Sequence, residues 1–343
     1  MYESIALALN RTLAGEMRRD SSVLVLGEDV AVLGGAYQVT KGLLAEFCAT
    51  RVRDTPCSET AIIGVSIGAA LAGMRPVAEL QFSDFIFCAM DQVVNQAAKL
   101  RMMFGGQAKV PMVIRAPQGA AGRAAQHSQC IEAYFMHTPG IKVVLPSDPF
   151  DARGLLASAI RDDNPVLFLE HKLLYGSTSA GGKAKSATGF LTTLRPAPED
   201  DYMIPLGVAE VKSPGNDVTV VATQYMLHLA LRVAARFREE GVTLEVIDPR
   251  TAAPLDMETI QHSVRKTGRL VVVSEDVRTC GFASEVVARV AESCHASLKA
   301  PPQRVSTLDT PIPFAPESEK FVLPSEEKIA AAVSLTLNVP API

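Results

Sequence analysis

Val23-Leu24-Val25-Leu26 is an unbroken apolar run that ends at Gly27. Such a run is typical of a strand buried on both faces, as in a parallel sheet. Comparable runs recur at residues 110–114, 143–145 and 166–169, and segments with helical spacing of apolar residues separate them. These helical segments are 3–20, 62–72, 89–100 and 149–160. Strands that alternate with helices predict an α/β fold built on a parallel sheet.

A second α/β pattern follows an irregular stretch, from about residue 177 to 201, that is rich in Gly, Ser, Thr and Pro. Its predicted strands are 217–223, 242–247 and 270–274, and its predicted helices are 227–240, 255–267 and 282–294. A chain of 343 residues suits two domains. The sequence therefore predicts one domain at residues 1–185, a linker at 186–203 and a second domain at 204–335.

Composition excludes several classes of protein. The net charge of -4 argues against a nucleic-acid partner, which requires a basic surface. Glycine and serine break the longest apolar stretch, residues 62–71, well short of a membrane span. The first residues lack the pattern of a secretory signal, and the six scattered cysteines have no metal-ligand spacing. We therefore expect a cytoplasmic protein with reduced thiols.

Glu59 ends the segment Asp54-Thr55-Pro56-Cys57-Ser58-Glu59 and opens a predicted helix of small residues. Ser58 is suited to cap that helix, which makes Glu59 an ordinary acid of a first helical turn. Burial in apolar surroundings would instead raise the pKa of this carboxyl group and suit it to proton exchange. Spacing alone favours the ordinary explanation.

Two further segments carry polar or aromatic groups. Phe82 and Phe85 precede a helix in which Asp91 is followed by amide side chains on one face, so the helix is expected to face a partner or a site. His127 follows the predicted strand at 110–114, where open α/β sheets place ligands. His137 and His171 remain alternatives to His127, because spacing cannot rank them. No dinucleotide or phosphate-loop fingerprint is present, so the sequence contains no recognisable motif for binding a diphosphate.

Together these segments resemble the beta subunit of the decarboxylating component of the 2-oxo acid dehydrogenase complexes. The resemblance extends in one register from about Tyr2 to Val333. The matching stretches include Gly27-Glu28-Asp29-Val30, Asp54 to Glu59, Gly73-Met74-Arg75-Pro76-Val77, Asp91-Gln92, Gln126-His127-Ser128-Gln129, Pro139-Gly140-Ile141-Lys142-Val143-Val144 and Asp309-Thr310-Pro311-Ile312-Pro313.

The resemblance implies a pyrimidine-type thiamine-diphosphate-binding domain followed by a transketolase C-terminal-like domain. It also implies a heterotetramer of two alpha and two beta chains, in which the alpha chain holds magnesium and the diphosphate. Glu59 matches the glutamate that hydrogen-bonds the aminopyrimidine ring, and Phe85 matches the aromatic residue that packs on it. Glu28 and Asp91 match acids of a polar channel between two cofactors. His127 matches a histidine assigned to the oxyanion or to lipoyl transfer.

A structural potassium ion is also implied by the resemblance. The matching positions are the carbonyls of Met112, Ala159 and Ile160 with groups of Asp162 and Asn164, an oxygen-only set that suits a hard cation. The chain departs from the family at residues 116–123, which leads into His127, and at residues 177–200 and 338–343. The first departure leaves the choice of substrate open.

The predicted function is decarboxylation of pyruvate or a close 2-oxo acid and transfer of the acyl group to a lipoylated acyltransferase. Acetoin or branched-chain 2-oxo acids are the alternative substrates. A non-catalytic assembly subunit is a different class, and a split transketolase that acts on sugar phosphates is a third. Glu28, Glu59, Asp91 and His127 together argue against a scaffold. An enzyme for sugar phosphates is expected to carry more basic and histidine residues than this chain shows. Neither nucleic acid nor a membrane is an expected partner.

Overall fold

The structure is a computed structural model that describes residues 4–176 and 201–338. The chain forms two compact units. The first comprises Met1–Gln118 and Tyr134–Leu206, and the second comprises Gly119–Ala133 and Gly207–Ile343. The predicted linker at 186–203 lies almost entirely outside the described residues, and the predicted domain boundaries stay predictions.

Helices and strands alternate along the first part of the chain. In order they are α1 (Ile5–Arg19), β1 (Val23–Gly27), α2 (Leu43–Arg51), β2 (Val52–Asp54), α3 (Glu59–Leu71), β3 (Arg75–Glu79), α4 (Leu100–Met103), β4 (Val113–Gln118), α5 (Glu132–Met136), β5 (Lys142–Val144), α6 (Pro149–Arg161) and β6 (Val166–His171). A 3-10 segment, Ser83–Ala89, and a π-helical segment, Asp91–Ala97, connect β3 to α4.

The sheet of the first unit is parallel, as the apolar runs predict. Its strands lie in the order β5-β6-β4-β3-β1-β2. Val25 in β1 lies opposite Val52 in β2 on one side and Val77 in β3 on the other. Central strands β4 and β6 are buried along their whole length. Because both faces are covered, these strands need continuous apolar sequence rather than alternation.

The second unit continues with β7 (Glu210–Ser213), β8 (Val218–Ala222), α7 (Gln224–Glu239), β9 (Leu244–Asp248), β10 (Thr251–Ala253), α8 (Met257–Thr267), β11 (Leu270–Val277), α9 (Phe282–Cys294), β12 (Gln303–Thr307), α10 (Pro316–Val322) and α11 (Glu326–Leu337). Its five-stranded sheet has the order β12-β11-β8-β9-β7, in which β7 alone runs antiparallel. The apolar faces of α7 and α11 pack against this sheet in one core cluster.

The predicted α/β class is confirmed, and most predicted elements are present within a few residues. The strand expected at 110–114 instead begins at Val113 and runs on to Gln118. The helix expected at 89–100 is wrong as a single α-helix, because the Ala98 amide donates to the carbonyl of Val93, five residues back. No helix among residues 4–176 and 201–338 is long and apolar enough to cross a membrane.

Candidate active site

Three predicted site residues follow the carboxyl ends of neighbouring strands. Glu28 comes directly after β1, Glu59 begins the helix that follows β2, and Phe85 lies in the 3-10 segment after β3. Because β1 pairs in parallel with both β2 and β3, these ends lie at one edge of the sheet. Ligands of open α/β sheets bind at this kind of edge.

Two side-chain contacts join the segments that carry these residues. The thiol of Cys57 donates a hydrogen bond to Oε1 of Glu28, with 2.8 Å between Sγ and oxygen. The hydroxyl of Thr60 donates to the carbonyl of Cys88 at 2.5 Å, which links the start of α3 to the segment between Phe85 and Asp91. The segments that carry these residues, which are distant in sequence, are therefore in contact with one another.

Close packing of backbone shapes the same edge. A Cβ atom on Gly27 would lie 2.4 Å from the carbonyl oxygen of Glu79, at the end of β3. Only glycine allows β1 and β3 to approach this closely immediately before Glu28. This explains why the apolar run that identifies β1 ends in glycine.

Glu59 is the first residue of α3 and is half-buried. The apolar core of this chain therefore does not enclose the Glu59 carboxylate completely. Helical spacing places Glu59 on the same face as buried Ile62 and Ile63. Because Glu59 is the first residue of the helix, it lies at the edge of the core. Ser58 holds the N-cap position without accepting a capping hydrogen bond.

The Glu59 carboxylate accepts no hydrogen bond from residues 4–176 or 201–338. Its position at a helix N-terminus favours negative charge and places it beside free backbone N–H groups. An acceptor that is half-buried, and not engaged by this part of the chain, is suited to bind a donor group of a ligand.

Phe85 and Asp91 lie in the non-α segments between β3 and α4. The Phe85 ring is half-buried and contacts Phe82 edge to face, with 5.4 Å between ring centroids. Asp91 is exposed and accepts hydrogen bonds from the side chains of Asn95 at 2.8 Å and Gln92 at 3.3 Å. The polar face predicted from the amide side chains therefore forms, and a π-helical segment carries it.

His127 belongs to the second compact unit although it precedes most of that unit in sequence. It is half-buried, and its amide donates to the carbonyl of Ala124 at 3.3 Å. His171 is buried at the end of β6, where its Nδ1 accepts from the amide of Leu173 at 3.2 Å, which indicates a structural role. His137 is exposed in the first unit.

A buried charged cluster, which we call the arginine cluster, was not predicted from the sequence. It consists of Arg115 in β4, Glu79 in β3 and Glu170 in β6, all within the central strands. Arg115 donates from Nη1 to Glu79 Oε2 at 2.5 Å and from Nε to Glu170 Oε1 at 2.7 Å. Tyr175 donates to the second oxygen of Glu170 at 3.1 Å. The available signal was a charged residue within each of these three strands.

The arginine cluster has one more carboxyl group than guanidinium groups. Burial raises the pKa of both Glu79 and Glu170. The positive charge of Arg115 acts in the opposite direction but does not fully offset the effect of burial. Burial opposes the charge of Arg115, but the two carboxylates together raise its pKa. The guanidinium therefore stays charged, and the carboxyl groups depend on it for their own ionisation.

Most of the oxygen groups predicted to hold potassium accept hydrogen bonds from nearby groups of the chain. Arg75 Nη1 donates to the carbonyl oxygens of Ile160 at 3.0 Å and Asp162 at 2.9 Å. Asp162 Oδ1 accepts from Asn164, its Oδ2 pairs with Lys142, and its amide donates to the carbonyl of Ala159 at 3.3 Å.

Oxygen-only ligands are the kind that suit a hard cation, and in this structure Arg75 and Lys142 supply positive charge to these oxygens. Carbonyl and carboxylate oxygens have further lone pairs, and the end of α6 favours positive charge. Among residues 4–176 and 201–338, no group of three or more His, Cys, Asp or Glu residues could hold a metal ion.

Comparison with known families matches both halves of the chain. Residues 3–178 match the transketolase pyrimidine binding domain, and residues 207–329 match the transketolase C-terminal domain. A split-gene transketolase, described as an inactive beta4 tetramer, has the same fold, with a TM-score of 0.78. The two sequences are 21% identical, and the match covers 98% of each chain.

Curated relatives are similar over nearly the whole chain. The acetoin:2,6-dichlorophenolindophenol oxidoreductase subunit beta of Cupriavidus necator is 46% identical, over 98% of this chain and 97% of its own length. The 2-oxoisovalerate dehydrogenase subunit beta of Bacillus subtilis is 43% identical, over 95% and 96%. The pyruvate dehydrogenase E1 component subunit beta of Rhizobium meliloti is 42% identical, over 95% and 68%. The chain therefore belongs to the transketolase-like family of beta subunits of the 2-oxo acid and acetoin dehydrogenases.

Proposed function

We propose that this chain is the beta subunit of a thiamine-diphosphate-dependent dehydrogenase that decarboxylates pyruvate or a close 2-oxo acid. The observation that carries the proposal is the cluster at the carboxyl ends of β1, β2 and β3. There a half-buried carboxylate, Glu59, accepts no hydrogen bond from the described part of the chain and lies close to the segment that carries the half-buried ring of Phe85.

Thiamine diphosphate would supply the nucleophilic carbon and the electron sink for loss of CO₂. Glu59 would hold a proton at the ring nitrogen N1′ of the aminopyrimidine, which requires an acceptor that is free to meet the ring. Phe85 would pack on the aminopyrimidine. Glu28 and Asp91 would line a polar path for protons, and His127 would stabilise the oxyanion or assist acyl transfer to a lipoyl group.

An alpha subunit is required in this proposal, because the sequence has no motif for a diphosphate. The alpha chain would hold the magnesium ion and the diphosphate, and two chains of each kind would form the heterotetramer. A lipoylated acyltransferase would accept the acyl group. Met112, Ala159, Ile160, Asp162 and Asn164 would hold a structural potassium ion.

Acetoin is the second candidate substrate. The supporting observation is the 46% identity with the Cupriavidus necator subunit, whose name specifies acetoin. The pyruvate and branched-chain relatives are 42% and 43% identical, so identity alone does not separate the substrates.

The test is reconstitution of the chain with candidate alpha subunits, followed by assay with pyruvate, acetoin and 2-oxoisovalerate. Reduction of 2,6-dichlorophenolindophenol measures the steps that do not need a lipoyl group. We expect activity only when both subunits and thiamine diphosphate are present, and the substrate with the highest kcat/KM identifies the class. Turnover by the beta chain alone would refute the shared site.

Glu59→Gln tests the proton role. Removal of a positioned proton-transfer group typically lowers turnover by about 10²-fold to 10⁴-fold, and we expect a loss of at least about 10²-fold here. Glu46→Gln is the matched control, because Glu46 is an exposed carboxylate of the first unit that pairs with Arg18. Full turnover of Glu59→Gln in an assembled heterotetramer would exclude this role.

A further inference from the structure

The loop that carries His127 is anchored on the second unit by two carboxylates. The amide of Ala120 donates to Oε1 of Glu275 at 2.5 Å, and both residues are buried. The amide of Gly122 donates to both oxygens of Glu319, at 3.2 Å and 3.1 Å. Hydrogen bonds from backbone N–H groups to a carboxylate are charge-assisted, which makes them stronger than bonds to neutral acceptors.

Apolar packing supports the same anchor. Ala120 forms a small buried cluster with Ile312 and Val322, and partly buried Leu323 packs against it. Ile312 precedes α10, and Val322 is the last residue of that helix. The helix that supplies Glu319 therefore also supplies part of the apolar surface on which the loop rests.

A backbone hydrogen bond also joins the two ends of the loop. The amide of Gly119 donates to the carbonyl of Gln129 at 3.3 Å, which brings the two ends of the loop together. Gly122, which meets Glu319, has a φ of +69°, a left-handed conformation that glycine adopts readily. His127 lies between the anchored residues and the closing bond, so the anchors restrict the path of its backbone.

We propose that Glu275 and Glu319 are positioning residues for His127. Through these two carboxylates the second unit fixes the position of the histidine. The inference rests on the proposed function, which assigns His127 to the reaction. The two carboxylates act through the loop backbone. Since a displacement of about 1 Å in a reacting group can lower a rate by about 10²-fold, release of one anchor is expected to reduce turnover measurably.

Glu319 is the better of the two residues to change. Glu275 lies in β11, an interior strand between β12 and β8, and is buried, so its removal would disturb the fold itself. Glu319 lies on the short surface helix α10 and is half-exposed. Glu317 is an exposed carboxylate on the same helix and provides the matched control.

The first experiment measures amide hydrogen exchange in the assembled heterotetramer, in peptides that cover residues 119–129. We expect exchange to become at least about 10-fold faster in Glu319→Ala and to stay unchanged in Glu317→Ala. Glu319→Gln retains one acceptor oxygen and should recover most of the protection. Unchanged exchange in Glu319→Ala would overturn the inference, whatever the activity.

The second experiment is a double-mutant cycle on kcat with His127→Ala. Glu319→Ala should lower kcat by about 10-fold in the wild-type background and have no further effect when His127 is already absent. An equal loss in both backgrounds would show a general structural effect and overturn the inference. Full turnover of His127→Ala, together with faster exchange in Glu319→Ala, would instead refute the role of His127 in the proposed function and leave the anchoring intact.

Discussion

Substitution of Arg115 by methionine is expected to destabilise the first unit far more than loss of a surface ion pair. The Arg115 side chain is 1% exposed, and its partners Glu79 and Glu170 are 7% and 1% exposed. Removal of one member of a buried ion pair leaves an uncompensated charge and costs about 3–5 kcal/mol. We therefore expect the free energy of unfolding to fall by about 4 kcal/mol.

The size of this loss depends on pH, because burial already raises the pKa of both carboxyl groups. Without the guanidinium their pKa values rise further. The folded variant then binds more protons than the unfolded chain above the ordinary value of 4.5 for a glutamate, so its stability decreases as the pH rises. The loss is therefore expected to be larger at pH 8 than at pH 5.

Urea denaturation followed by far-UV circular dichroism measures the effect, since the chain has no tryptophan to report by fluorescence. Arg18→Met is the matched control, because Arg18 pairs with Glu46 at the surface, and its loss should cost at most about 1 kcal/mol. A variant with Arg115→Met, Glu79→Gln and Glu170→Gln should recover at least about half of the stability. A loss of only about 1 kcal/mol, or equal losses at both pH values, would refute the reasoning.

The other predictions concern the contact between Cys57 and Glu28 and the proposed potassium site. The hydrogen bond to Glu28, with the charge of that carboxylate, raises the pKa of the Cys57 thiol, so Glu28→Gln should speed its alkylation by iodoacetamide at pH 8. Mass spectrometry of the Cys57 peptide measures the rate, with exposed Cys280 as internal reference; equal rates in variant and wild type would contradict the contact. If Asp162 and its neighbours bind potassium, the melting temperature should be higher in potassium chloride than in tetramethylammonium chloride of equal ionic strength. Asp162→Ala should abolish that difference, and a wild-type chain with no difference would argue against the site.

Much of the fold could be predicted from local pattern. Continuous apolar runs such as Val23 to Leu26 require burial on both faces, and that requirement selects a parallel sheet. Strand β3 was missed because Arg75-Pro76-Val77-Ala78-Glu79 interrupts its apolar run with charges and proline. Those charges are satisfied only by partners on other strands and loops, such as Arg115 for Glu79.

The site residues are predicted on different grounds from the fold. Whole-chain resemblance predicts Glu59 and His127 as site residues, whereas spacing alone favours an ordinary helix-start acid at Glu59. Tertiary structure decided that Glu59 is half-buried, because it lies at the end of the apolar face of α3.

The sequence alone determined the α/β class and the small-residue helix that begins at Glu59, because apolar periodicity and helix-start residues are local properties. Only the tertiary structure decided that the His127 loop belongs with the second unit and that three distant charges share one buried cluster. These features depend on pairing between residues separated by 36 to 197 positions. Local sequence patterns do not encode such pairing, because it exists only once the sheets have formed.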